Sequence, residues 1–523
     1  METTTLQRKD QKYQSWLGIL ALILFALLYC WSALVSPFWN DNDTWSNLLP
    51  VIHFRHSILE QHALPLYTDL WYGGRAQWAN PLWNFLYLPS TIVWVVTPLD
   101  WGTRIVFLGH LIFSLLSGRW LAGLFLDSEF ERISAAILFT SPILVALTAG
   151  HVEKVMSWGW VLLALYFLLN RNLTSRPRGL GTGICLGIIP LTGANYYAFY
   201  AGILISLLAI SYKDLKLFLF FGLGSLIGLL HLPTVWQMAG HARSHAEVFI
   251  KAYSVSLLNS LSALSVGFSK PLSWETWTPV GILTIYLFGL ILVMKTRATI
   301  SKKKFEFSLQ ELALLLSIFL LLLLSSGLAY RGQNWFNLFR VPARALAFVA
   351  LAIVLFVLMN ARGLINHTRL KQTSLRLFLF TSAVQIAASA WVIRPEGSKH
   401  SPYQASVQHV ADILKADNAK SIWFSTRALD DMYIHVGLTR NDLALPNVYY
   451  GDMGQNITAM GSYCSYSFDH VIAFAPIEGS TLQLLADTEW SVTDEEIPLG
   501  KLSLLERVKL DDRILNIYRV ICS

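Results

Sequence analysis

Charged residues are scarce: they make up 14% of the 523 residues, against 54% hydrophobic. A soluble domain carries about 25% charged residues. With a mean hydropathy of +0.48, the shortfall excludes an ordinary water-soluble enzyme and points to a polytopic membrane protein. Cysteine is scarcer still, with four in the chain. No CxxC or other metal-like spacing occurs, which removes thiolate-zinc and dithiol chemistry. Cys30 and Cys185 fall in apolar segments and behave as small hydrophobes. Cys464 and Cys522 lie in the polar C-terminal stretch, where an oxidising compartment would let them pair. There is no internal repeat and no low-complexity tract. The net charge of +7 does not indicate a nucleic-acid partner. Much of it lies in short loops between apolar runs, where Lys and Arg set topology.

Aromatic residues are plentiful, with 19 Trp and 20 Tyr, as suits a chain with long membrane–water boundaries. Arg8, Lys9 and Lys12 precede the first apolar run, Trp16–Ser36. The run exceeds a signal-peptide core and lacks a small-residue cleavage site, so it reads as a retained span. The positive-inside rule then puts the N-terminus in the cytoplasm and Asp41 on the far side. The first outer loop, 37–102, is too polar to span up to Asn80. Its Pro81–Pro98 run is ambiguous. If it crossed, Arg171, Arg176 and Arg178 would fall outside, so it is expected to lie in the outer leaflet. The remaining apolar runs alternate consistently, giving about eleven spans and an outer C-terminus. The fold class is therefore mainly α, a transmembrane domain over 1–393, with a small extracytoplasmic α/β domain over 394–523. In that domain Ser421–Ser425, His470–Phe474 and Ile514–Val520 read as strands. Ala405–Leu414 and Thr481–Leu485 read as helices.

Candidate chemistry sits at the predicted outer ends. Asp41 and Asp43 stand two apart after the first span, so an extended backbone puts both on one face, toward a cation (Mg or Mn) or an acceptor group. The plainer reading is a helix-stopping turn. His151, Glu153 and Lys154 share a turn between apolar helices and could supply an acid/base or a metal ligand, or a simple Glu–Lys pair. Asn195, Tyr196 and Tyr197 occupy the next outer turn and could line the same cleft. A longer outer stretch holds His231, His241, Arg243, His245, Glu247 and Lys251, then Glu275 before the next span. His241 and His245 have a metal-pair spacing, but the Glu that a zinc protease needs after the first His is absent. Arg340 and Arg344 stand four apart, on one face if helical, and their forked guanidiniums suit a lipid phosphate. Snorkelling anchors are the alternative.

Together these features resemble the GT-C superfamily of polytopic glycosyltransferases, and within it the bacterial YfhO-like and related membrane proteins. The resemblance rests on the acidic start of the first outer loop and on Trp71-Tyr72-Gly73-Gly74-Arg75 with Asn80-Pro81-Leu82. It rests also on a Ser141-Pro142 helix ending in Gly150-His151, and on Arg340-Val341-Pro342-Ala343-Arg344 opening a late span. It covers roughly Trp16–Val392. It implies a polyprenyl-phosphate-linked sugar as donor, an envelope glycan, lipid or protein as acceptor, and work on the outer face of a bacterial cytoplasmic (inner) membrane. Asp43, with Asp41, takes the position of the base or metal-binding acid. Glu153 matches a second acidic position where many relatives carry Asp. Inversion at the anomeric carbon would follow, with Arg340, Arg344 and Lys154 stabilising the departing phosphate. His151, Asn195, Tyr196, Tyr197, Glu275, Trp71 and Arg75 are the candidate substrate contacts. A transporter or flippase would instead place its charges near the bilayer midplane. A non-catalytic envelope scaffold would be indifferent to loss of Asp43.

Overall fold

The computed structural model describes residues 2–36, 38–39, 44–65, 67–68, 75–76, 84–148, 150–232, 254–265, 278–301, 306–328, 341–367, 372–392, 394–395, 404–419, 422–424, 434, 438, 470–473, 481–483, 496–498, 501–510 and 513–521. The chain divides into two compact units, one comprising residues 1–34, 81–93 and 103–396 and the other 35–80, 94–102 and 397–523.

The first unit is a helical bundle. In chain order its described elements begin with α1 (Glu2–Tyr29), which is followed by the short α2 (Trp31–Val35) and by α3 (Thr44–Leu59) of the second unit. Then come α4 (Leu88–Val96), α5 (Leu99–Ala122), α6 (Glu129–Thr148), α7 (Val152–Leu169), α8 (Ser175–Leu191), α9 (Asn195–Ser211) and α10 (Leu215–Ser225), the last extended by a 3-10 turn over Leu226–His231. Next are α11 (Leu257–Leu264), α12 (Ile282–Ile300) and α13 (Leu309–Ser325). A 3-10 turn, Pro342–Ala345, leads into α14 (Leu346–His367), and α15 (Gln372–Val392) follows. Six of these stretches are long and apolar enough to cross a membrane: α5, α6, α7, α12, α15 and Pro342–Ala361. Shorter apolar helices cover Tyr13–Tyr29, Asn195–Ser211, Leu215–His231 and Leu309–Ser325. With the glycine-rich α8 between α7 and α9, a described helix stands at each of the eleven expected spans. The protein is an integral, multi-pass membrane protein. Its outward faces are apolar, as lipid contact requires: Leu20 and Leu24 on α1 and Leu219 and Leu223 on α10 are all more than half exposed. The helix within Pro81–Pro98, α4, has nine residues. At 1.5 Å per residue it reaches about 14 Å, under half the roughly 30 Å hydrocarbon core.

Several helix ends run past the expected bounds. Glu129 and Glu131 are in the first turn of α6, and Lys295 and Arg297 remain in α12. Glu129, Glu131 and Lys295 are carried because each has a partner. The Arg119 guanidinium donates to Glu129 at 2.5 and 3.0 Å and to Ser15 at 2.7 Å. Arg376 meets Glu131 at 2.9 Å. Lys295 Nζ donates to Glu311 and to the Glu306 carbonyl, both at 2.8 Å. Arg178 donates to the Leu168 carbonyl at the end of α7. Asp214 caps α10, accepting from Leu217 N–H and from the Ser175 hydroxyl, and that hydroxyl holds its carboxyl below the usual range. These contacts belong to the ends at which α5, α7, α9 and α12 finish.

In the second unit, Arg55 on α3 reaches the last turn of α4. Its guanidinium donates to the carbonyls of Trp94 and Thr97, and to Val95 at 3.2 Å. Helix C-termini leave carbonyls without intrahelical partners, and one guanidinium serves three of them here. Arg55→Leu is expected to cost about 2 kcal/mol, the scale of a charged hydrogen bond lost. A lowered midpoint of thermal unfolding in detergent is the check, and an unchanged midpoint would mean that α4 is held by other contacts.

The C-terminal part has helix α16 (Ala405–Ala416) and strands β3 (Ile422–Phe424), β4 (His470–Ala473), β7 (Lys501–Leu510) and β8 (Arg513–Ile521), in sheet order β3-β4-β8-β7. The first pair is parallel and the others antiparallel. Val407, Val410, Ala411 and Leu414 recur at helical spacing and are all buried, as are Ile422, Leu515 and Ile517. Two small pairs complete the strands: β1 (Tyr67–Thr68) with β2 (Arg75–Ala76), and β5 (Thr481–Gln483) with β6 (Glu496–Pro498). Thr481–Gln483 is thus a strand, not the start of a helix. A run that short cannot separate period 2 from period 3.6, and cross-strand pairing decided it. Cys30 and Cys185 are buried free thiols, while Cys464 and Cys522 lie outside the described residues.

Candidate functional site

Two glycine turns build the site. Gly150 (φ 72°) ends α6 and Gly193 (φ 87°) ends α8, both in the left-handed region that costs a residue with a Cβ. At the first, Gly150 N–H bonds Leu147 O and His151 N–H bonds Ala146 O, the paired bonds that close a helix on an αL residue. The chain then reverses at once into α7, putting Glu153 in its first turn. The second turn starts α9 at Asn195 and Tyr196. Because helices alternate in direction, both turns lie at the same end of the bundle.

Side chains join them there. The Tyr196 hydroxyl donates to Glu153 Oε1 at 2.7 Å. His151 Nδ1 lies 3.2 Å from the same oxygen. The Thr192 hydroxyl reaches the Glu153 carbonyl at 3.5 Å. The Arg344 guanidinium sits 4.3 Å from the centre of the Tyr196 ring, a cation–π distance. Glu153 is 5% exposed, with Lys154 and Arg344 as the cations acting on it and His151 as a side-chain hydrogen-bond partner. A buried carboxylate without such partners would cost several kcal/mol. Arg344 is not on a regular helical face. It belongs to the 3-10 turn before α14, because Pro342 opens that turn and holds Val341 out of the helical region. Beneath the site, Trp158, Tyr197, Tyr200 and Phe348 pack ring against ring at 5.1–5.9 Å. Tyr197 is therefore part of the packed floor.

The bundle end also holds a residue to which the sequence assigned no role. Asn195 Nδ2 lies 3.2 Å from His231 Nε2, at the end of the 3-10 turn after α10. His231 stands where an apolar run stops, at the same parity as Asn195, and that was the signal available. Asp41, Asp43, Trp71, Glu275 and Arg340 lie outside the described residues, as does the Arg75 side chain. Among the described residues no group of three His, Cys, Asp or Glu side chains could hold a metal ion. Around Glu153 the cations Lys154 and Arg344 make a poor neighbourhood for a divalent ion.

No family model matches the chain, and no curated protein matches it. Solved structures do. Arabinofuranosyltransferase AftD from Mycobacteria superposes with a TM-score of 0.54 at 12% identity, covering 97% of this chain and 41% of that one. The match thus spans about two fifths of AftD. The oligosaccharyltransferase AglB from Archaeoglobus fulgidus, solved with an inhibitory peptide and a dolichol-phosphate, gives 0.45 at 13% identity over 88% and 69% of the two chains. ArnT from Cupriavidus metallidurans in the apo state gives 0.45 at 11% identity over 96% and 98%. The likeness to AftD shows a shared membrane-helix fold. At this level of identity the likeness establishes architecture alone.

Proposed function

We propose that the protein is a membrane glycosyltransferase that moves a sugar from a polyprenyl-phosphate donor to an envelope acceptor at the outer face of a bacterial cytoplasmic membrane. The observation that carries this reading is the meeting of Glu153, Tyr196 and Arg344 at one end of a bundle that shares its membrane-helix fold with AftD. A guanidinium stacked on an aromatic ring is oriented, and an oriented fork suits a phosphate whose charge grows as the sugar leaves. Arg344 takes that role, assisted by Lys154 and Arg340. Glu153 positions Tyr196, and hence the ring on which Arg344 rests. Asp43, with Asp41 beside it, is the base that deprotonates or orients the acceptor hydroxyl. Displacement then inverts the anomeric carbon. The N-terminus lies in the cytoplasm, and the domain from Arg394 onward lies outside. If a divalent cation takes part, Asp41 and Asp43 are the residues to hold it.

The test is an Asp43→Asn strain. Mass analysis of extracted envelope glycoconjugates is expected to show one species lost or shortened by a sugar. Unchanged glycans at normal protein levels would sink the reading and favour the scaffold alternative.

A further inference from the structure

Unsatisfied buried polar atoms occur on three elements at the same bundle end. Among the described residues Glu153 Oε2, Asn195 Oδ1 and His231 Nδ1 are buried with no hydrogen-bond partner. They come from three elements: the first turn of α7, the first residue of α9 and the turn closing α10. His231 is 1% exposed. A buried polar atom left without a partner is costly, so orphans on the contacting Asn195 and His231 side chains call for a partner of matching polarity. Their chemistry narrows the choice. Asn195 Nδ2–H donates to His231 Nε2, which leaves His231 Nδ1–H as a spare donor and Asn195 Oδ1 as a spare acceptor. Flipping the amide exchanges the two roles and preserves the balance. Glu153 Oε2 adds a second acceptor and a negative charge. An anion is disfavoured beside a carboxylate oxygen. A group that both donates and accepts, such as a hydroxyl, fits the Asn195–His231 pair, and Glu153 Oε2 stands as a further acceptor at the same bundle end.

We propose that Asn195, His231 and Glu153 Oε2 form a hydroxyl-recognition subsite that reads the glycosyl group of the lipid-linked donor. Arg344 and Lys154 bind its phosphate. The proposal rests on the transferase reading and divides the site into a phosphate half and a sugar half. Asn195 and His231 are then specificity residues, placed where the ends of α9 and α10 meet.

The test uses the full chain in detergent and two probes: a short-chain polyprenyl phosphate, and the same lipid phosphate carrying glucose, mannose, galactose or an amino sugar. Wild type is expected to bind at least one glycosylated probe more tightly than the bare phosphate. Asn195→Leu and His231→Phe should each reduce that sugar increment about tenfold, the value of one hydrogen bond in a desolvated site. Binding of the bare phosphate should not change, and His231→Gln, which keeps a donor and an acceptor, should retain most of the increment. If His231→Phe does not fold, the half-buried Asn195 carries the test alone. A wild-type increment untouched by the variants would overturn the subsite and mark the orphans as water-satisfied. Equal loss for both probes would show local collapse and also overturn it. Absence of any sugar increment in wild type would remove the subsite while leaving the phosphate site. Failure of wild type to bind either probe would remove the transferase reading as well.

Discussion

Replacing Arg344 by leucine is expected to lower sugar transfer in the lipid-reconstituted protein by about a hundred- to a thousandfold, the loss seen when one preorganised donor to a developing charge is removed. The expectation follows from how Arg344 is held. Its guanidinium lies against the Tyr196 ring, and the Tyr196 hydroxyl is tied to Glu153 in the first turn of α7. Three elements thus fix the direction of one cation before any ligand binds, which saves reorganisation at the moment of reaction. Arg344→Lys keeps the charge but loses the planar fork and most of the stacking, so it should recover less than about a tenth of the lost rate. Tyr196→Phe keeps the ring and removes only the hydroxyl's bond to Glu153. Its cost should be nearer tenfold, the scale of one hydrogen bond to a charged group. This gradient separates the site from the plainer reading of Arg344 as an anchor at the membrane boundary. An anchor would lose thermal stability on substitution and leave transfer by the folded fraction unchanged, and that result would remove Arg344 from the site.

Much of the fold was legible because the solvent dictates it. A chain that must satisfy every backbone group inside lipid forms helices wherever an apolar run is long enough, and lysines and arginines mark the connections. The helix ends were less legible. Glu129, Glu131 and Lys295 looked like loop residues, and are carried in helices where Arg119, Arg376 and Glu311 neutralise them. The site was legible as parts. Glu153, Tyr196 and Arg344 stand on three turns that alternation assigns to one end. Whether their side chains meet depends on helix rotation, which comes from packing and leaves no local mark. Arg344 shows the limit clearly: a four-residue spacing suggested a helical face, and Pro342 sets Arg344 in a 3-10 turn ahead of the regular helix, while Arg340 lies outside the described residues. His231 shows the other limit. Its sequence context was a run of scattered histidines, and only its pairing with Asn195 sets it apart.

Gly183→Leu is expected to be the most destabilising single change in the bundle. Gly179, Gly183 and Gly187 recur every four residues along α8 and meet α10 directly. A Cβ at Gly183 would lie 2.1 Å from the Phe221 carbonyl oxygen, and one at Gly179 2.4 Å from that of Leu217. Gly224 answers from the other side, its Cβ position 2.7 Å from the Leu180 carbonyl oxygen. The obstacles are backbone atoms, so no rotamer change relieves them. The two helices must move apart, and a lipid-embedded pair has little hydrophobic driving force to compensate, since its association rests on close contact. Even Gly183→Ala should cost about 1–3 kcal/mol, the usual range for overpacking, and leucine more. The readouts are the thermal unfolding midpoint and the monodisperse fraction in detergent. Gly222, on the same α10 but with nothing within 4 Å of its Cβ position, is the control. Gly222→Ala should be neutral or stabilise by about 0.5–1 kcal/mol through helix propensity alone. Separation of α8 from α10 also has a consequence at the site. α10 carries His231 on its closing turn, and α8 leads through Gly193 to Asn195, so parting the helices pulls the two side chains from their 3.2 Å contact. Gly183→Ala protein that still folds should therefore lose sugar discrimination before it loses affinity for the bare lipid phosphate. Equal discrimination in a destabilised Gly183→Ala protein would show that the helix contact and the Asn195–His231 pair are independent.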